Sequence, residues 1–467
     1  MNIVQNIWGK FQRVMEMVLD VLEQGTDYVS FEQKLREELN ELGRGIIKEV
    51  LEAGDAYLRA HQQERRGWTV ERRNQEKNIL TCFGQATYRR TYYRHEQSGE
   101  YAHLVDRMAG YGPHARVDAG LKAEVIDLAT EISYRKSGQE PARRVRGVMI
   151  SGTAVMQAIR SFAVREEQPL SSPEKRRVAV LYVEADEDHV AGRQGETHLP
   201  RLVYVHEGKE QVGKGRYRLK QPHYLAGIWQ DSEELWLEVL DYIDGHYDLE
   251  HLERIFICGD GDGWIKKGLS ILPESVFVLD RFHLDKYLVA ALGRNTEAHH
   301  KAWAAIRAGN KLEAEKVLKE AGKQASTPNQ KKAVWECRRY LRRNWDGIQA
   351  YRLYPQAKLG VSAEGHVSHV LAARLSSRPL AWSRAGVDQM ARLRAMKANG
   401  LSVRERYLAQ TRRKLDPFKV ERSDLVRERQ KLARAAGEVF DNLPALRGPA
   451  TQLRRVLKEI SRDLSLL

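Results

Sequence analysis

The chain has 467 residues, 42% of them hydrophobic and 30% charged, a balance that suits a globular protein with a real core and excludes a disordered tail protein. At roughly 150 residues per domain the length allows about three domains. Lysine and arginine number 77 against 63 aspartates and glutamates, a formal charge of +14, so a polyanion is the first partner to expect.

No apolar run approaches the roughly 18 residues that span a bilayer, and no membrane partner is expected. The N-terminal stretch breaks its apolar residues with acids and reads as an amphipathic helix, not a signal peptide. Cys82, Cys258 and Cys337 are far apart, with no CxxC or Cys/His cluster. That argues against a disulfide framework or a structural zinc and suits a reducing cytoplasm. Val4, Ile7, Trp8, Phe11, Val14, Met15, Val18 and Leu22 recur at three- and four-residue spacing on one face. With the charged helical run that follows, residues 1–66 are expected as a helical hairpin or a dimer-forming pair.

Residues 67–110 change period. Around 79–95, β-branched and aromatic residues flank a glycine, the pattern of a short β-hairpin. Arg89, Arg90 and Arg94 stand among Tyr88, Tyr92 and Tyr93. They suit a phosphate grip with base stacking, or equally an edge strand blunted by arginines. In 111–172 three helical pieces are expected, at 119–133, 138–147 and 151–163, spaced like a helix-turn-helix. The third would present Thr153, Gln157 and Arg160 to a groove, although such a trio also occurs in ordinary bundles.

Residues 173–285 carry the strongest pattern. Strand-like runs at 176–190, 201–208 and 223–230 precede a helix at 231–247; a short apolar strand running into a Gly/Asp-rich loop is expected at 254–264, and another strand at 276–283. Three strands followed by alternating helix and strand describe a mixed α/β sheet with helices on its faces. Residues 286–357 read as helical, 358–384 as a loop and a helix, and 385–467 as a basic helical region. From Arg384 to the end there are 20 basic residues against 10 acidic ones, or +10 of the chain's +14.

Asp186 and Asp188 stand where the first core strand loses its apolar character, two apart and so on one face. Asp260 follows the strand 255-IFIC-258. Ligands collect at strand ends in such sheets. Paired carboxylates there suit hard divalent ions, which can activate a water or a 3′-hydroxyl against a phosphodiester. Asp and Gly after a strand also serve simply as turn residues.

The motifs VEADEDHV, GDGDGWIKKG, LDRFHLDKY and SAEGHVSHVLAARLSSRP, with FGQATYRRTYYR and SYRKSGQ before them, together resemble the ISLre-type insertion-sequence transposases of bacteria. These are distant relatives of the Mutator-like DDE transposases. The resemblance implies a ribonuclease-H-like core, a mixed five-stranded sheet with helices on both faces, interrupted by a helical insertion. It implies an Asp-Asp-Glu triad on Asp186 (Asp188 as fallback), Asp260 and Glu364, binding two magnesium or manganese ions. The 104 residues from Asp260 to Glu364 fit the insertion. Asp280 and His283 match a Cys-or-Asp, two residues, His signature beside the active site, and Arg374 and Arg378 are candidate phosphate contacts. The implied function is DNA transposition, with double-stranded DNA (element ends and target) as partner. A homodimer or larger synaptic assembly, a cytoplasmic location and no nucleotide cofactor are expected. The rivals are a non-catalytic DNA-binding descendant of a transposase and a nuclease that cleaves without joining.

Overall fold

The structure, a computed structural model, describes residues 3–24, 27–145, 147–164 and 174–413, and the single positions 426, 430 and 434. Most of the basic tail beyond 413 therefore lies outside the described residues, as do the side chains of Val4, Trp8, Val18 and Leu22. The chain divides into two compact units. The first gathers residues 1–129, 133–158 and 404–467, and the second 130–132 and 159–403.

In the first unit, helices α1 (Ile3–Gln24) and α2 (Tyr28–Ala60) pack together. Asp27 opens α2 by accepting the Ser30 N–H at 2.9 Å. Strands β1 (Trp68–Thr81) and β2 (Gly84–His95) form an antiparallel hairpin that turns at residues 82–83, and β3 (Tyr101–Ala102) adds to its edge. Leu51 and Leu58 of α2 pack on Ile79, Tyr88 and Val105 as the core. The hairpin is longer than the expected 79–95. The middle of β1, 71-ERRNQEK-77, is polar on both faces and mostly exposed, so it carries no alternation for a sequence reading to find.

Four helices follow: α3 (Leu104–Met108), α4 (Ala119–Ala129), α5 (Tyr134–Gln139) and α6 (Gly152–Arg160). The second expected piece, 138–147, instead begins at Tyr134 and passes into a 3-10 turn over Glu140–Arg143. Ser133 caps α5 by accepting the Lys136 N–H at 3.3 Å. Pro141, with no N–H to give, ends its ladder.

The second unit is built on β4 (Val180–Glu187), the short pair β5 (Val190–Ala191) and β6 (Thr197–His198), β7 (Arg201–His206), the hairpin β8 (Lys209–Gly213) and β9 (Arg216–Leu219), β10 (His223–Gly227), α7 (Ser232–His246), β11 (Arg254–Gly259), α8 (Gly263–Lys266) and β12 (Ser275–Leu279). Five of these strands form one mixed sheet in the order β10-β7-β4-β11-β12. Strand β4 runs parallel to β11 and β11 to β12, while β7 is antiparallel to both its neighbours. Leu181, Val183 and Ala185 of β4 alternate onto one face, where Leu235, Trp236, Val239 and Ile243 of α7 cover them. The other face receives Ala350 and Tyr351 against Phe256, Cys258 and Val278. Burial on both sides explains why these strands read as nearly unbroken apolar runs.

Helices α9 (Arg281–Leu292), α10 (Glu297–Arg307), α11 (Lys311–Gln324), α12 (Pro328–Arg343) and α13 (Trp345–Leu353) make the long helical excursion. The chain then returns through α14 (Ala363–Val367), a π-turn (Ser368–Ala372) and α15 (Ala373–Leu375), which form one continuous helix. Helix α16 (Arg384–Ala398) covers the exposed edge of β10. There the Asn399 side chain accepts from Tyr224 N–H at 2.7 Å and donates to its carbonyl at 3.0 Å, replacing a missing strand neighbour.

Candidate active site

Three parallel strands of the second unit end in acids. Asp186 is the last residue but one of β4, Asp260 follows β11 and Asp280 follows β12. Cys258 is the register partner of Glu184, so two residues further on Asp260 stands across from Asp186. Beyond Asp260 the chain turns sharply at Gly261, whose φ is +94°, and the Asp260 carboxylate accepts the Asp262 N–H at 2.9 Å. The junction of α12 and α13 supports this turn. The Tyr340 hydroxyl donates to the Asp260 carbonyl, and a Cβ on Gly261 would meet the Asn344 side chain at 2.4 Å. Asp280 caps α9 through the Phe282 N–H at 2.9 Å and holds His283 Nδ1 at 3.1 Å.

The electrostatics tie these groups together. Burial first, and then the negative charges of Asp260 and Glu364, push the Asp186 carboxyl up to about 6. Asp260 is raised by burial and by Asp262 and Asp280. His283 is raised by its hydrogen bond to Asp280 and by the charges of Asp186 and Asp260. The structure thus brings Asp186, Asp260, Glu364, Asp280 and His283 into one electrostatic neighbourhood. Among the described residues, no three His, Cys, Asp or Glu side chains stand close enough to hold a metal ion as they are. The donor chemistry still suits a hard divalent cation, because carboxylates whose neighbours and burial resist ionisation are relieved by positive charge. A cleft of about 550 Å³ opens beside Asp260, lined among others by His283, Lys286, Arg339, Tyr340 and Arg343.

Asp188 has a different position from Asp186. Its carboxylate accepts the Ser376 hydroxyl at 2.9 and 3.0 Å, which ties it to the end of the returning helix. Sequence reading missed Glu184, which is 1% exposed in the middle of β4. The available signal was a carboxylate inside an otherwise apolar strand, on the same face as Asp186 and Asp188. Burial would push Glu184 up, but hydrogen bonds from His206 and Tyr204 and the charge of Lys209 outweigh it and hold the carboxyl at about 2.

Of the candidate nucleic-acid contacts, Arg89 and Arg94 are exposed on β2, whereas Arg90 is partly buried and paired with the buried Asp106. Thr153, Gln157 and Arg160 are all exposed along α6, at spacings that share one helical face. Arg378 is exposed, but Arg374 is 5% exposed with its guanidinium 4.8 Å from the Trp382 ring. Its place is in the packing beneath the surface. His366 donates to or accepts from the Tyr224 hydroxyl at 3.0 Å. No described helix is long and apolar enough to cross a membrane.

The profile of an uncharacterised protein family, UPF0236, matches residues 21–412. A UPF0236 protein of Caldanaerobacter subterraneus subsp. tengcongensis, whose name joins four locus labels, is 35% identical over 460 residues, 98% of this chain and 97% of its own. Another from the same organism, whose name joins eleven locus labels, is also 35% identical over 98% of this chain and 97% of its own. A UPF0236 protein from Streptococcus gallolyticus, named for its place in the vanSb 3′ region, is 26% identical over 72% of this chain and 75% of its own. On the extent of these matches, the chain belongs to the UPF0236 family.

Proposed function

We propose that this protein is a DNA transposase of an insertion sequence, cutting element ends and joining them to target DNA with an Asp186, Asp260 and Glu364 triad on a ribonuclease-H-like core. The observation that carries this reading is the pair of acids at neighbouring strand ends. Asp186 and Asp260 come from adjacent parallel strands, and Glu364 returns on a helix near enough for its charge to act on Asp186. The five-stranded mixed sheet, with the second strand in sequence antiparallel to its neighbours, supports the ribonuclease-H-like reading. The relatives add support of another kind. One protein standing under eleven locus labels of a single genome is what a self-copying element leaves behind.

Two magnesium or manganese ions, when bound by the three acids, would supply the Lewis acidity that activates an attacking oxygen and steadies a leaving one. The chain's own residues do the rest. Asp260 is held in place from below by the Tyr340 hydroxyl on its carbonyl. Asp280 fixes His283 and favours its charged form, as do the charges of Asp186 and Asp260. The exposed cations of the cleft, Lys286, Arg339 and Arg343, suit the backbone phosphates of a strand led to Asp260. Thr153, Gln157 and Arg160 on α6 suit recognition of the element ends.

The test is an assay of strand cleavage and strand transfer on duplexes carrying the element's own terminal sequences, with and without magnesium. Asp186→Asn, Asp260→Asn and Glu364→Gln should each abolish cleavage and leave end binding largely intact. Normal magnesium-dependent cleavage by Asp260→Asn would overturn the triad. Salt-sensitive binding with no nicking by the unaltered protein would identify a non-catalytic binder, and nicking without joining a nuclease.

A further inference from the structure

We propose that Glu184 is a positioning residue: its buried carboxylate fixes Ser362, and through it the helix that carries Glu364, against the strand that carries Asp186. The proposal deepens the functional reading above and rests on it for the role of Glu364.

A carboxylate that is 1% exposed is costly unless donors surround it. Glu184 has donors from three directions. Tyr204, its register partner on β7, donates its hydroxyl at 2.6 Å. The His206 ring lies with Nε2 at 3.1 Å. A carboxylate only accepts, so Nε2 carries the proton towards Glu184, while Nδ1 lies 3.1 Å from the Gly208 N–H and 3.2 Å from its carbonyl. The third direction is the segment that brings the chain back from the helical excursion. The Ser362 N–H donates to Glu184, and the Ser362 hydroxyl lies 3.2 Å from it. Lys209 stands 3.3 Å from the same carboxylate and donates to the Gly360 carbonyl at 2.7 Å.

Ser362 is the residue before α14, yet its side chain makes no cap for that helix. It is turned to Glu184 instead. At the far end of the same continuous helix, the Ser376 hydroxyl is held by Asp188. Glu184 and Asp186 alternate along β4 and share a face, and Asp188 follows directly after its last residue. The outer two hold the ends of the helix, and Asp186 between them is left facing the acids. A π-turn, a frequent companion of functional sites, interrupts the helix between its two tethers. An apolar residue at 184 would serve stability as well or better. The charge is explained by the geometry it imposes on residues 360–362.

The experiment compares Glu184→Gln with the unaltered protein in three measurements: amide hydrogen exchange of residues 362–367, Mn2+ binding to the full chain, and the metal concentration that half-saturates cleavage. Whichever way the amide is placed, its NH₂ group meets donors, His206 and Lys209 at one oxygen position or Ser362 and Tyr204 at the other, so the network that holds residues 360–362 loses an acceptor and loosens. Exchange at 362–367 should rise severalfold, and Mn2+ affinity should fall by about ten- to a hundredfold, as for other supports of ligand side chains. Half-saturation should move in step, with the maximal rate partly recovered at high Mn2+. A folded Glu184→Gln protein with unchanged exchange and Mn2+ affinity would overturn the proposal. Should that variant fail to fold, Ser362→Ala and Tyr204→Phe each remove one hydroxyl of the network and decide the matter by the same exchange measurement. If the unaltered protein neither binds Mn2+ nor cuts DNA, the functional reading fails while exchange at 362–367 still judges the tether.

Discussion

At the scale of single residues, the candidate site is under electrostatic tension. Asp186 has an ordinary pKa near 3.9 when unfolded and is pushed up to about 6 in the fold by burial and then by Asp260 and Glu364. A group whose folded pKa is raised binds its proton more tightly in the fold, so its stabilising contribution is complete below the unfolded value and lost as pH rises through 6. Above that, in the absence of metal, the ionised carboxylate costs the fold roughly 3 kcal/mol. Asp186→Asn should therefore melt higher than the unaltered protein at pH 8 in EDTA, and the difference should vanish near pH 3.5. Thermal melts at the two values check this; an equal difference at both would refute it. Sequence alone reached Asp186, Asp188 and Asp260 because acids at strand ends stand out against apolar runs. It did not separate the first two, since strand period places them on one face. In the structure Asp188 differs from Asp186 in accepting the Ser376 hydroxyl, a contact that crosses 188 positions. Glu184 stayed hidden for a related reason: its donors come from elements that no local pattern links.

At the scale of elements, strands buried on both faces were legible and exposed ones were not. The runs at β4, β7, β10, β11 and β12 were all expected within a few residues. The hairpin β8–β9, 209-KEQVGKGRYRL-219, and the middle of β1 were missed, because they are largely exposed and so need no apolar alternation. The turn after β11 shows how an element end is set from outside. Gly261 combines φ of +94° with the Asn344 side chain 2.4 Å from where a Cβ would stand. Gly261→Ala should therefore lose about 1–3 kcal/mol and displace Asp260, whose carbonyl takes the Tyr340 hydroxyl. Gly365 in α14 is the contrast. It has no positive φ and nothing within 4 Å of a Cβ, so Gly365→Ala should gain about 0.5–1 kcal/mol from helix propensity. Chemical denaturation of both variants tests the pair, and a Gly261→Ala protein as stable as Gly365→Ala would show that the turn is not constrained as described.

At the scale of the whole molecule, sequence order and spatial grouping part company. The described residues from Arg404 onward group with the N-terminal helices and hairpin, not with the sheet that precedes them. No periodicity records such a grouping, because a helix has the same pattern whichever partner covers it. Net charge, by contrast, needs no fold to be read. A surplus of +14 on a protein proposed to hold DNA ends makes a quantitative demand, since each phosphate neutralised by Lys or Arg releases counterions and steepens the dependence on salt. With about 6–10 phosphate contacts, affinity for a duplex should fall by about 10³–10⁵ between 50 and 200 mM salt. In EDTA the fall should be the same for Asp260→Asn, because that acid touches DNA only through chemistry that metal-free conditions suspend. Fluorescence anisotropy on a labelled duplex measures both slopes. A slope near zero would remove DNA as the partner of this charge, and a slope that changed with Asp260 would mean that this acid takes part in binding as well as in the proposed cutting.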